Sequence, residues 1–242
     1  MPTALDGAAW RRAAAALVYV DDLAAPALDA DDAHHLGRVL RVRDGEAVAA
    51  ADGAGGWRRC RWASGALAPD GPVVVEPAAT PSLAVGFVPT KGERPEWVVQ
   101  KLTEVGVDRI VVLRSARAVV RWEGDRGGRH LAKLAEVARQ AGMQSRRVRL
   151  PVVEGPLDLE VVVGSPGWLI AVPGGRPLPA VGADPGPVGV LVGPEGGFTP
   201  EEEHCGPGRV ALGDGVLRAE TAAVLAGGLL AALRAGVVGP AG

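Results

Sequence analysis

The stretch from Val188 to Leu233 limits what this chain can fold into more than any other part of it. It opens on Val188-Gly189-Val190-Leu191-Val192, too short an apolar run for a helix and β-branched enough for a buried strand. Gly193-Pro194-Glu195-Gly196-Gly197-Phe198 breaks the run. Thr199-Pro200-Glu201-Glu202 then starts a helix, with Thr199 at the N-cap, Pro200 at the first helical position and Glu202 where a capping box needs an acid. A second strand and loop, Val210 to Thr221, run into a long apolar helix that ends near Arg234. Two glycine-bearing loops therefore follow two strands, at the edge where open α/β sheets bind ligands.

From Ser82 onward strands and helices alternate, which predicts a mainly parallel sheet. The expected strands are Leu83 to Val88, Arg109 to Leu113, Trp168 to Val172, Val188 to Val192 and Arg209 to Leu212. The expected helices are Arg94 to Val105, Arg129 to Met143, Pro200 to Cys205 and Glu220 to Arg234, with Gly106 stopping the first. The last is apolar nearly all round, through Ala222, Val224, Leu225, Leu229, Leu230 and Leu233. It must be covered on more than one side, by its own sheet or by a second subunit. The chain before Ser82 reads as a small β-rich unit. Leu17 to Val20, Glu46 to Ala51, Trp57 to Trp62 and Pro72 to Glu76 are its strands, Asp31 to Leu40 a short helix, and Asp52 to Gly56 a hairpin loop. Pro77 to Pro81 reads as a linker, which gives domains over residues 1–80 and 81–242.

Nearly half of the 242 residues are hydrophobic, enough for a sizeable core, and the net charge of −2 does not announce a nucleic-acid partner. The charge distribution says more. Arginines cluster at 38, 41 and 43, at 58, 59 and 61, at 114, 117 and 121, and at 146, 147 and 149. Arg suits bidentate phosphate contacts, while a GC-rich genome favours Arg over Lys equally well. Cys60 and Cys205 have no CxxC pattern and no His at ligand spacing, which points to a reducing compartment and away from a metal. Adjacent His34 and His35 lack a third ligand, so packing and RNA contact suit them better. No run approaches the about 20 apolar residues of a membrane span, so a cytoplasmic protein is expected.

Gly193 to Phe198, together with Leu212-Gly213-Asp214-Gly215-Val216-Leu217-Arg218-Ala219-Glu220-Thr221-Ala222, resembles the C-terminal signature of the ribosomal RNA uridine-N3 methyltransferases, small-subunit enzymes of the SPOUT (α/β-knot) class. The resemblance continues upstream through Asp32 to Arg41, Lys91 to Arg94, Gln100 to Val107 and Gln144 to Arg147, in the family's order. It implies a PUA-like β-barrel at the N-terminus and a SPOUT domain with a deep trefoil knot. Strand pattern alone gives only an ordinary doubly wound sheet. It further implies S-adenosylmethionine as cofactor, 16S rRNA in the small ribosomal subunit as substrate, and a homodimer that buries the last helix.

The site residues follow from the same match. The glycine loops offer backbone amides and carbonyls to a purine or ribose, although a plain strand-to-helix turn explains Gly193 to Phe198 taken alone. The resemblance implies cofactor binding by Val172, Val192, Gly193, Glu195, Gly196, Gly197, Leu212, Gly213, Val216, Leu217 and Thr221. Glu220 is a candidate base for the N3 proton, with helix capping as its alternative role, and Arg218 a candidate to polarise a uracil carbonyl. RNA contacts fall to His35, Arg38, Arg41, Lys91, Arg94, Lys101, Arg146 and Arg147. Two departures stand out: Met143 where members usually carry Glu, and Asp214-Gly215 where Pro-Arg is common. Other readings are a knot-fold methyltransferase for another site, such as a ribose 2′-hydroxyl, and a non-catalytic RNA-binding or assembly factor.

Overall fold

The computed structural model describes residues 7–178, 188–206 and 208–238. It divides into one unit of Met1–Ala78 with Arg139–Leu150, and another of Ala79–Ala138 with Pro151–Gly242.

The first unit holds α1 (Gly7–Ala13), β1 (Ala16–Tyr19), α2 (Ala30–His34), β2 (Ala47–Ala51), β3 (Gly56–Ala63) and β4 (Ala66–Val75). Its sheet has the order β1-β2-β3-β4, with β1 parallel to β2 and the other pairs antiparallel. Side chains alternate between two cores, as the strand pleat requires. Val18, Val48, Ala50 and Cys60 meet Leu36 and Val42 on one face, while Leu17, Tyr19, Ala49 and Trp57 meet Val148 on the other. Met143 packs against both. Helix α1 was not expected. Its Arg11 is buried, paired with Glu76 and donating to the Arg146 carbonyl, whereas the adjacent Arg12 is exposed. The helix expected from Asp31 to Leu40 also changes character. Asp29 caps α2 by accepting from the Asp32 amide at 2.7 Å, and from His35 to Val39 the chain continues as a π-turn. Strand β4 begins earlier than its valines suggested. It lies at the sheet edge, the one place where a strand tolerates Pro69 and Pro72.

The second unit contains β5 (Leu83–Phe87), α3 (Arg94–Val105), β6 (Arg109–Arg114), α4 (Gly124–Gln144, its last residues grouped with the first unit), β7 (Val152–Asp158), α5 (Leu159–Val163), β8 (Trp168–Pro177), β9 (Val188–Val192), α6 (Pro200–Cys205), β10 (Arg209–Ala211) and α7 (Ala219–Arg234). The sheet runs β10-β8-β9-β5-β6-β7 with every neighbour parallel. A parallel sheet is covered on both faces, and its central strands β5 and β9, with the middle of β6, are accordingly apolar. Leu83, Val85, Ile110, Val112 and Val190 point toward α3, α4 and α7, where Leu102, Leu134 and Leu230 wait. Ala84, Val111, Leu113 and Leu191 point the other way, onto Leu159, Val162 and Phe198. Each such aliphatic side chain contributes about 1.5–3 kcal/mol by leaving water. Truncating Leu102, which is fully buried, would cost about 2–5 kcal/mol. Helix α3 stops as expected at Gly106, whose φ of 97° is a left-handed conformation open to glycine.

Candidate active site

Parallel strands bring all their carboxyl ends to one edge. Ala171, Val172 and Pro173 of β8, the Val192–Phe198 stretch after β9 and the 212–217 loop after β10 meet there around a cavity of about 310 Å³, closed by Ala219 and Ala222 of α7. That volume lies within the roughly 300–1,000 Å³ usual for small-molecule sites. The two glycine-bearing loops, far apart in sequence, therefore share one cavity.

The first loop is held in shape by its neighbours. A Cβ on Gly193 would stand 3.1 Å from the Phe198 ring, a tight approach that favours glycine at the turn. Phe198 is itself buried in the core. Arg117 Nη1 donates to the carbonyls of Gly196 and Phe198, both at 3.0 Å. Glu202 completes the capping box with Thr199, and its other acceptances come from the Ala116 amide at 2.8 Å and the Ser115 hydroxyl at 3.3 Å. A buried carboxylate with three donors makes a rigid joint between the β6–α4 loop and the start of α6.

The cavity takes in Val172, Val192, Gly193, Glu195, Gly196, Gly197, Leu212, Gly213, Val216 and Leu217, together with Pro194, Phe198 and Glu203, which the sequence did not single out. Thr221 is exposed on α7 and is not among the lining residues. The walls are largely apolar and the loops present backbone, while the two carboxylates, Glu195 and Glu203, lie 3.5 Å from Arg94 and 3.6 Å from Arg209. An S-adenosyl compound, with a flat purine, suits these walls.

Arg218 and Glu220 border the cavity without lining it. Arg218 is the N-cap residue of α7; it is exposed, caps nothing with its side chain and makes no ion pair among the described residues. A cation at a helix N-terminus opposes the macrodipole, so the fold gains nothing from it there. Glu220 is mostly buried. Its Oε1 lies 3.5 Å from Arg94 Nε, and its Oε2 is buried with no hydrogen-bond partner among the described residues. Arg94 also reaches Glu195 Oε1 at 3.5 Å, so one guanidinium bridges the cavity loop and the first turn of α7.

The remaining expected RNA contacts are scattered among different roles. Lys91 is exposed, whereas Lys101 pairs with Glu104 at 2.9 Å. His35, Arg38 and Arg41 are exposed at the π-turn of the first unit. Arg146 donates to the carbonyls of Met143, Ala14 and Ala15, and Arg147 Nε to that of Arg149. Arg117 and the second role of Glu202 were missed. The arginine cluster at 114, 117 and 121 was the only signal for the former.

A larger cavity, about 440 Å³, lies at the ends of β6 and β7. Glu123, Asp158, Glu160, Glu201 and Glu202 crowd it, and its Arg114 is bound bidentately by Asp158, at 2.7 and 3.1 Å. Those bonds hold the Asp158 carboxyl below the usual carboxylate range. No glycine loop opens into it, so size alone does not mark the site. Among the described residues no three His, Cys, Asp or Glu side chains gather as a metal site, and no helix is long and apolar enough to cross a membrane.

This sheet with its looped carboxyl edge is an RNA methyltransferase domain, whose family model matches residues 78–231; an RNA methyltransferase PUA domain matches residues 28–62. The chain is 32% identical to Ribosomal RNA small subunit methyltransferase E of Mycobacterium tuberculosis, over 90% of this chain and 92% of that one. The Neisseria gonorrhoeae Ribosomal RNA small subunit methyltransferase E, solved with bound S-adenosyl methionine, superposes with a TM-score of 0.75 at 26% identity, over 89% of this chain and 96% of that one. A Legionella pneumophila structure in complex with the same cofactor gives the same figures. The chain belongs to the ribosomal RNA small subunit methyltransferase E family.

Proposed function

We propose that this protein methylates N3 of a specific uridine in 16S rRNA of the small ribosomal subunit, with S-adenosylmethionine as the methyl donor. The observation that carries the proposal is the meeting of the two glycine loops in one carboxylate-bearing cavity, with Arg218 and Glu220 on the turn beside it. Bound there, S-adenosylmethionine supplies a methyl group on a positively charged sulfur. Uracil N3 carries a proton and attacks carbon only once that proton leaves. Among the described residues Glu220 keeps a buried oxygen without a hydrogen-bond partner, an arrangement suited to taking a proton from the base. Arg218, unpaired at a helix start, would face the negative charge that spreads onto the uracil carbonyls as N3 is deprotonated. Arg94, bridging Glu195 and Glu220, would fix the base relative to the cofactor loop.

RNA is held by the exposed side chains of His35, Arg38, Arg41 and Lys91, with Arg94, Lys101 and Arg147 near their own partners and Arg146 shaping the turn after α4. The second unit forms the deep trefoil knot of its class. The protein works as a cytoplasmic homodimer, a reading supported by the half-buried outer face of α7 (Val224, Leu225, Leu229, Leu233) and by Val216, 89% exposed beside the cavity.

The test is incubation of the protein with labelled S-adenosylmethionine and unmodified 30S particles, followed by nucleoside analysis. Label in 3-methyluridine is expected. Label in a 2′-O-methylated nucleoside, or cofactor binding with no label in RNA, contradicts the proposal.

A further inference from the structure

We infer that the turn Arg38-Val39-Leu40-Arg41 is a contact surface for unpaired RNA, its two apolar side chains lying against open base faces while the arginines hold the flanking phosphates. The inference rests on the RNA-directed function proposed above and names the kind of RNA that the first unit takes.

The turn is pinned from below. Leu36 is wholly buried and Val42 nearly so, and the Val42 amide donates to the Leu36 carbonyl at 3.0 Å. The Leu40 amide closes the π-turn on His35 at 2.9 Å. Between these anchors the chain is pushed outward. Val39 is 59% exposed and Leu40 48%, with Arg38, Arg41 and Arg43 exposed around them. Arg41 has a φ of 53°, a left-handed conformation that a side-chain-bearing residue adopts only when its surroundings impose it. Such locally forced geometry, like a π-turn, gathers at functional sites.

The electrostatics point the same way. The guanidinium groups of Arg38, Arg41 and Arg43 make no hydrogen bond or ion pair among the described residues. Arg11, Arg58, Arg61 and Arg146 of the same unit are all engaged by carboxylates or carbonyls. The neighbouring carboxylates of Asp44 and Glu46 accept from Ser64 and from the Arg43 amide and form no ion pair with these guanidinium groups among the described residues. The turn thus presents free positive charge around two apolar tips. A regular RNA duplex offers phosphates and 2′-hydroxyls but hides its base faces, leaving Val39 and Leu40 without a partner. A single strand, loop or bulge offers both phosphate and exposed base. Two side chains are too small an apolar patch for a stable protein–protein contact.

The test is fluorescence anisotropy of the full chain with a labelled single-stranded oligoribonucleotide of about 12 nucleotides, and with the same sequence as a duplex, across a salt series. The unaltered protein should prefer the single strand. Val39→Ser with Leu40→Ser should weaken single-strand binding about tenfold, with no change in salt slope and little change for the duplex, since an apolar contact with base faces releases no counterions. Arg38→Gln with Arg41→Asn, the latter chosen because Asn tolerates a left-handed backbone, should reduce the slope of log affinity against log salt by about 1.4, roughly 0.7 for each phosphate left unneutralised. Unchanged S-adenosylmethionine affinity and melting temperature show that the variants are folded, and Val39→Thr with Leu40→Gln serves as a milder replacement. Equal binding of strand and duplex by the unaltered protein, or a Val39/Leu40 variant that binds the single strand normally, overturns the inference. Anisotropy needs no methyl transfer. Strand binding through this turn without uridine labelling defeats only the proposed function, and labelling without dependence on Val39 and Leu40 defeats only this inference.

Discussion

The two cavities at the carboxyl edge of the parallel sheet differ in what forms their walls. The smaller is made of glycine loops that expose backbone between apolar side chains, with Glu195 and Glu203 at its border. The larger is made of side chains already committed to one another, Arg114 to Asp158 and Glu202 to Ser115, Ala116 and Thr199. Together they show that open backbone between apolar walls, rather than volume, marks the ligand site. The stretch between them, Gly193 to Glu203, contributes to both, and its shape is set by Glu202 from the larger side and by Arg117 through the Gly196 and Phe198 carbonyls.

The largest difference should appear in catalysis. Glu220→Gln is expected to lower kcat about 100- to 10,000-fold, the usual worth of a general base, while leaving cofactor affinity unchanged. Glu201→Gln, in the larger cavity, should leave both unchanged; equal losses from the two would erase the distinction.

The cysteines sharpen it further. Cys205 is exposed on the wall of the larger cavity, whereas burial pushes the Cys60 thiol up from 9.0 to about 11. At pH 8 iodoacetamide should alkylate Cys205 at least about 100-fold faster than Cys60, because only the thiolate reacts. Mass spectrometry reads the sites, and calorimetry should then find cofactor affinity intact. The raised Cys60 value also fixes a sign. Its contribution to stability is complete below about pH 9 and is lost toward about pH 11, as the unfolded chain ionises first.

Smaller effects separate the walls themselves. Gly193→Val, which forces a side chain against Phe198, should weaken S-adenosylmethionine binding at least about tenfold, whereas Ala118→Trp, filling the larger cavity, should change it less than about twofold. Arg117→Ala removes two donors from the shared wall. A loss of about fivefold in cofactor affinity is expected, near the 1 kcal/mol worth of a hydrogen bond.

What was legible in the sequence was local. The capping box of Thr199 and Glu202, the left-handed stop at Gly106 and the bounds of α3 and β9 depend on residues a few positions apart. Strand β7 was hidden because Gly155 and Pro156 lie inside it and look like breakers, and α5 is a single short turn of helix. The strand order escaped because parallel neighbours such as β5 and β9 pair across long sequence separations that no pattern records. The glycine loops could be found by motif. The grip of Arg117 and Glu202 on them could not, since each partner lies far along the chain. Glu220 was weighed as a cap, and only its unpartnered oxygen and its approach to Arg94 distinguish it from one.

Crystals grown with S-adenosylmethionine test the central claim most directly. Density for the donor between Gly193–Gly197 and Leu212–Leu217, with its sulfonium on the side of Glu220, is the expected result. Donor density in the cavity of Arg114 and Glu160, or none in either at saturating concentration, would contradict the account.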